Sequence, residues 1–294
     1  MIIGLDVGGT NIKGVLMKGT KVIVKIKTEI KSRNDRNVLL AQIFDCINNL
    51  RLGKKIEKIG IGVAGPVDFE RQMVLNPPNL VALKNLKLGK IITEKFKTKA
   101  IIEHDADCFV LAEAILGAGK NYKSVFGITL GTGVGGGLAI NKKIYHGAHG
   151  SAGEIGHTTI EKNGRQCACG NKGCLEAYIN DKGIKQTAQE IFKKRIDRMR
   201  TFDDLAEKKD RRAIKLYEIV GKYLGIGLAN LVDMVSPDII IVGGGIMRAG
   251  KFILEPARKE MKKNILSSGA KKTKLLKSKI GKFAGAIGAS LLTF

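Results

Sequence analysis

The chain reads as an α/β protein of two related domains. Two observations predict this. A strand, a glycine-rich bend and a second strand occur at 2–17 and again at 125–140, so each half of the chain opens on the same design. Elsewhere, short apolar runs alternate with segments of helical period, the pattern of sheets covered by helices. At 294 residues and 44% hydrophobic content the chain can build a core for each domain.

The elements follow in order. Residues 2–6 are an apolar strand ending in Asp6-Val7-Gly8-Gly9-Thr10, and 11–17 alternate back as its hairpin partner. A third alternating strand spans 21–27. Leu40, Ile43, Ile47 and Leu50 then recur at helical spacing over 34–50, with Cys46 on the core side. The strand at 56–63 runs into Ala64-Gly65-Pro66-Val67, and Asn76-Pro77-Pro78-Asn79-Leu80 is a rigid loop. In it Asn79 either presents its amide to a polar ligand or caps a turn. A helix at 88–96 and a strand at 100–103 lead to His104-Asp105-Ala106-Asp107 and a helical run to about 117. Asp105 thus stands where a parallel-type strand gives way to a helix, the usual place for ligands in open α/β sheets, although an aspartate there also serves as a helix cap. Tyr217, Val220, Leu224, Leu228, Leu231 and Val235 mark a long helix ended by Pro237. A buried strand at 238–242 reaches Gly243-Gly244-Gly245, and 283–292 form a closing helix.

Three glycine turns leave backbone N–H groups uncovered: Gly8-Gly9, Gly131-Thr132-Gly133 and Gly243–Gly245. Such turns can wrap phosphate, and Asp6 beside the first can hold Mg²⁺ through water. A different chemistry occupies 147–176. His157, Cys167, Cys169 and Cys174 lie within eighteen residues, spaced by Gly164, Gly170 and Gly173. Three of the five cysteines gather here, and Cys-x-Cys followed four residues later by Cys suits a closed, four-coordinate structural zinc site. An odd cysteine count without a secretion signal argues against disulfides and for a reducing compartment.

The 51 Lys and Arg outnumber 27 Asp and Glu, for a formal charge of +24. The lysines are spread along the chain, and the dense run at 271–282 reads as an amphipathic surface segment. Aromatic residues are 5% of the chain and Trp is absent, so stacking platforms for single strands are scarce. A solvated basic surface is expected, with no specific nucleic-acid partner. No apolar run approaches the ~20 residues that span a bilayer, so no membrane association and a cytoplasmic location are expected.

In this order, DVGGT (6–10), GIGVAG (60–65), NPPNL (76–80), HDAD (104–107), GTGVGGG (131–137), AGEIGH (152–157), CACGNKGCLE (167–176) and VGGG (242–245) resemble the ROK family of sugar kinases. That family lies within the actin, hexokinase and Hsp70 superfold, and the resemblance covers the whole chain. It implies two actin-like domains of mixed sheets flanked by helices, with nucleotide and sugar in the cleft between them. The smaller domain would be 1–107 completed by 282–294, and the larger 108–281. The resemblance makes Asp105 the base that takes the proton of the sugar hydroxyl. It places Gly65, Asn79, His104, Glu154, His157 and Glu176 against the sugar. ATP would be held by Asp6, Gly8, Gly9, Thr10, Asn11, Lys13, Gly131, Thr132 and Gly133 at its phosphates and by Gly243, Gly244 and Gly245 at the adenosine. The expected ligands are therefore ATP, Mg²⁺, a structural Zn²⁺ and a hexose, glucose first, in a homodimeric enzyme. The family usually carries Asn-Asp-Ala-Asn where this chain has His104-Asp105-Ala106-Asp107; a neutral His can both donate and accept, as an amide does, but from another position. An N-acetylhexosamine kinase would keep every residue named. A sugar-sensing repressor of the same family would carry a helix-turn-helix ahead of Asp6, where this sequence has no room for one. A sugar-binding module without catalysis is at odds with the presence of Asp6, Asp105 and all three turns.

Overall fold

Apart from Asp6 and Lys58, the residues of 2–7 and 58–63 are aliphatic or glycine, as befits strands covered on both faces. In the computed structural model, which describes residues 1–293, they are the centre of a five-stranded sheet. β1 (Ile2–Val7), β2 (Asn11–Lys18) and β3 (Lys21–Glu29) pair antiparallel in sequence. α1 (Arg36–Arg51) follows, its first turn capped by the Asp35 carboxylate, which accepts from the N–H groups of Asn37 and Val38. β4 (Lys58–Val63) returns parallel to β1. A small ribbon of β5 (Val67–Asp68) and β6 (Met73–Val74) precedes α2 (Leu88–Phe96), and β7 (Ala100–His104) adds parallel to β4, giving the order β3-β2-β1-β4-β7. α3 (Asp105–Ile115) starts on the residue after β7.

The chain divides into two compact units. The first comprises Met1–Asn121, Gly137–Ala152 and the C-terminal segment from Lys279; the second comprises Tyr122–Gly136 and Gly153–Ser278. β8 (Ser124–Leu130) and the start of β9 (Val134–Ile140) open the second unit, and β9 runs on into the first, where β10 (Lys143–Ile144) pairs antiparallel with its end. Four helices of the second unit follow: α4 (Glu176–Ile179), α5 (Asp181–Phe192), α6 (Met199–Glu207) and α7 (Arg211–Val235). β11 (Ile239–Gly243) then pairs parallel with β8, and after α8 (Gly250–Asn264) the strand β12 (Lys274–Lys277) pairs parallel with β11. Within the basic run at 271–282 the structure therefore holds an edge strand, with Leu275 buried and Lys274, Leu276 and Lys277 exposed. Four residues are too few to show a period, which is why the run reads from sequence as undivided surface. α7 and α8 lie against each other where a side chain on Gly221 would meet the carbonyl of Ile253 at 2.5 Å.

The last helix, α9 (Ala284–Leu291), belongs to the first unit. Its backbone reaches the sheet because Gly4 of β1 and Gly60 of β4 are register partners and neither has a side chain. A Cβ on Gly4 would lie 2.0 Å from the Ala286 carbonyl oxygen, and one on Gly60 only 1.7 Å from that of Ala289. Among the described residues no helix is long and apolar enough to cross a membrane.

This contact yields a stability prediction. Gly60→Val should lower the unfolding free energy by at least ~2 kcal/mol, because backbone on both sides resists displacement. Gly269→Ala, at φ −65° with only Ser267 near, should leave it within ~0.5 kcal/mol. Urea unfolding of the two variants against the parent chain makes the comparison.

Candidate functional site

In the first unit the candidate residues gather at the carboxyl ends of β1, β4 and β7. Asp6 and Lys13 face each other across the β1–β2 ladder, and the Lys13 ammonium lies 2.9 Å from the Asp6 carboxylate. Gly8 N–H donates to the Asn11 carbonyl at 3.1 Å, closing a turn whose Thr10 is exposed. Asn79 sits beside this turn: a Cβ on Gly9 would lie 3.1 Å from its Cβ. A Cβ on Gly65 would lie 2.7 Å from Pro77, of the same loop as Asn79.

His104 occupies the cap position of α3 with an extended backbone, and Asp105 is the first helical residue. The Asp105 side chain keeps 33% of its surface open, yet its carboxyl group lies deep among surrounding atoms. That burial raises its pKa above the usual carboxylate range; His104 opposes the rise, and Asp6 adds to it. The His104 ring bridges two acids, with Nε2 3.3 Å from Asp105 and Nδ1 3.8 Å from Asp107. The carboxylate thus stands at the start of α3 between the His104 ring and the charges of Asp6 and Lys13.

In the second unit, Gly131 N–H donates to the Gly133 carbonyl at 3.0 Å, and the next N–H, of Val134, is taken by Glu176 Oε2 at 2.8 Å. Glu176 is 9% exposed, and its other oxygen lies 3.7 Å from the Cys167 sulfur, so it joins this turn to the cysteine loop. The third turn has Gly244 at φ 95°, where an added Cβ would strike the Leu130 carbonyl at 2.2 Å; only glycine fits on both counts. Gly131, Thr132 and Gly245 line one cavity of about 270 Å³ together with Asp181, Met199, Asp203 and Ile246. The last four are absent from the sequence reading. Asp181 N–H donates to the Gly131 carbonyl at 2.9 Å, and the buried Asp203 accepts from the Tyr217 hydroxyl at 2.5 Å. Neither role follows from a motif, since both depend on where α5 and α6 are packed.

His157, Cys167, Cys169 and Cys174 bring one ligand atom each to within 4.8 Å of all the others. Cys167 Sγ is 3.7 Å from His157 Nδ1, and Cys169 Sγ is 3.7 Å from Cys174 Sγ. Around a tetrahedral ion with metal–sulfur bonds of about 2.3 Å, neighbouring ligand atoms stand about 3.8 Å apart, so this donor set fits a thiophilic cation. The protein alone crowds these thiols: Cys174 is pushed up to about 12, by burial first and then by Cys169. Because Nδ1 of His157 faces the sulfur cluster, Nε2 is left for a second partner. Glu154 precedes the short turn Ile155–His157 and is exposed.

Comparison with known proteins follows these features over the full chain. Residues 2–294 match the family model described as the ROK family. A glucokinase of Thermotoga maritima is 30% identical, over 98% of this chain and 96% of that one. A xylose repressor of Bacillus spizizenii is 32% identical, over 98% of this chain and 75% of the repressor. Among solved structures, a ROK family glucokinase from Streptomyces griseus in complex with glucose and AMPPNP superposes with a TM-score of 0.87 at 27% identity, covering 99% of this chain and 98% of that one.

The raised pKa of Asp105 has a consequence for stability. The native carboxyl holds its proton to higher pH than the unfolded one, so the native state binds more protons and stability falls as pH rises from the ordinary carboxylate value through the raised one. Asp105→Asn removes this loss. Thermal melts at acidic and neutral pH should show a flatter pH dependence for the variant and a Tm at neutral pH no lower than that of the parent.

Proposed function

The chain belongs to the ROK family, and we propose that within it this protein is an ATP-dependent hexose kinase that phosphorylates a primary hydroxyl, glucose being the favoured acceptor. The observation that carries the reading is Asp105, a carboxylate of raised pKa on the first residue after β7, close enough to the Asp6–Lys13 pair to feel both charges. A base whose pKa is moved toward neutrality takes a hydroxyl proton more effectively than an ordinary carboxylate. The glucokinase relative and the glucose and AMPPNP complex of the Streptomyces griseus protein support glucose and ATP as substrates.

On this reading Asp105 accepts the proton of the attacking hydroxyl while the N–H groups of the Gly8–Gly9 and Gly131–Gly133 turns hold the phosphates in line. Asp6 holds Mg²⁺, which supplies charge neutralisation when bound. The cavity at Gly131, Thr132 and Gly245 takes the adenosine side of the nucleotide. Asn79, His104, Glu154, His157 and Glu176 orient the sugar through its hydroxyls, with the backbone of Gly65 beside it. His157, Cys167, Cys169 and Cys174 hold zinc, whose contribution is to the folding of the loop. A kinase for N-acetylated hexosamines would use the same residues. The relation to the xylose repressor raises a regulator as the other outcome.

A panel of glucose, other hexoses and N-acetylhexosamines, read by ADP release, tests the assignment. Turnover with glucose is the expected result, and sugar binding without turnover of any member would favour the regulator. Asp105→Asn should lower kcat by ~10²–10⁴-fold with sugar binding retained. In the parent chain, kcat/KM should fall on the acid side at a pH above the usual carboxylate range, as Asp105 takes up its proton.

Metal analysis of the purified chain should give about one zinc per chain. Cys169→Ser should remove it and raise the KM for sugar strongly while sparing nucleotide binding. Wild-type sugar affinity in protein shown to be metal-free would remove zinc from the reading.

A further inference from the structure

The residue before the His104–Asp105 pair is also a carboxylate. Glu103 is only 2% exposed, and its two oxygens serve different partners. Oε1 accepts the backbone N–H of His104 at 2.9 Å, and Oε2 lies 2.7 Å from Nε2 of His146. The His146 ring is stacked on Phe69, with centroids 4.8 Å apart and planes at 25°, and its carbonyl accepts from Ala152 N–H at 3.1 Å. All of these groups lie in the first unit.

The clamp falls at a joint. His104 is the last residue of β7 and the cap of α3, so its peptide marks where extended backbone turns into helix. Holding that N–H from the side sets the direction in which the first helical residue, Asp105, leaves the strand. The joint is also rich in acid. The thiol of Cys108, buried beneath it, is pushed well up by burial first and then by Glu103, Asp107, Asp105 and Asp6. A buried carboxylate in such company is costly unless a cation stands beside it. The hydrogen bond with Glu103 raises the pKa of His146 against the opposing effect of burial, which suits it to be that cation.

We propose that Glu103 and His146 act as one positioning pair, which locks the β7–α3 joint through the His104 N–H and thereby aims the Asp105 carboxylate. The kinetic consequence rests on the kinase reading; the clamp itself does not. Neither residue touches substrate in this scheme. Both work through the backbone of His104.

The test combines NMR with kinetics on the full chain. The four histidines allow ring resonances to be followed by selective labelling, and the His104 amide can be followed in ¹⁵N-labelled protein. The His146 ring should titrate above the ordinary histidine value, and in Glu103→Gln it should return toward it. In His146→Leu the His104 amide resonance should move and lose exchange protection. The same variant should lose about ten- to a hundred-fold in kcat, the cost of a misdirected base, with the nucleotide KM within about twofold of the parent. His146→Arg keeps a cation beside Glu103 and should recover most of the loss, whereas a purely structural role would show as a lowered Tm with kcat per folded molecule unchanged. If His146→Leu does not fold, Glu103→Gln and His146→Arg carry the same measurements. An unmoved His104 amide together with parental kcat, or a His146 that titrates ordinarily in the parent, overturns the proposal. A parent chain that turns over no sugar overturns the kinase reading instead, and the amide and ring titrations still decide the clamp.

Discussion

A helix can approach a sheet at backbone distance only where facing strands carry no side chains. Gly4 and Gly60 are paired across β1 and β4 and make such a patch, and the carbonyls of Ala286 and Ala289 on α9 fill it. The same helix lies on α3, where a Cβ on Gly288 would meet the Cys108 carbonyl at 1.6 Å, and on β1, where a Cβ on Gly285 would meet the Asp6 carboxylate at 2.9 Å. α9 therefore sets the distance between β1, which carries Asp6, and α3, which begins with Asp105. The position of both carboxylates follows from the absence of side chains on a few glycines.

That geometry brings like charges together. Asp6, Glu103, Asp105 and Asp107 all act on one buried thiol, and their closeness costs electrostatic energy. Here the repulsion is offset by particular partners: Lys13 for Asp6, His146 for Glu103, and the His104 ring between Asp105 and Asp107. At Asp105 burial outweighs the opposing charge of His104, and its pKa rises. Local stability and the capacity to accept a proton at neutral pH are thus opposed at this one residue, as is common where sites are built from buried charge.

The second unit meets a different constraint. Its cysteine loop has little apolar content, and Cys169 is exposed. The loop is tied down by the approach of its four ligand atoms and by Glu176, which reaches from the start of α4 to the Val134 N–H of the glycine turn. One carboxylate thereby couples the order of the cysteine loop to the shape of the Gly131–Gly133 turn, Glu176 lying 42 residues from Val134 in sequence.

Much of this was legible in the residues alone. The glycine turns are local, so Gly8-Gly9, Gly131–Gly133 and Gly243–Gly245 announce bare backbone wherever they are packed. The four candidate metal ligands lie within one short segment, and their gathering needs little tertiary information. The strand-to-helix change at Asp105 shows in the periodicity on either side of it. Other features required the folded chain. β12 is too short to show a period and exists as a strand because β11 offers it an edge. Asp181 and Asp203 enter the cavity through the placement of two polar helices. His146 lies 43 residues from Glu103, and nothing in either neighbourhood names the other. Sequence by itself determined which chemical groups the chain carries and how the backbone turns around them, because those depend on near neighbours. Only tertiary structure decided which carboxylates share a site and which cations offset them, because charges interact through space and not along the chain.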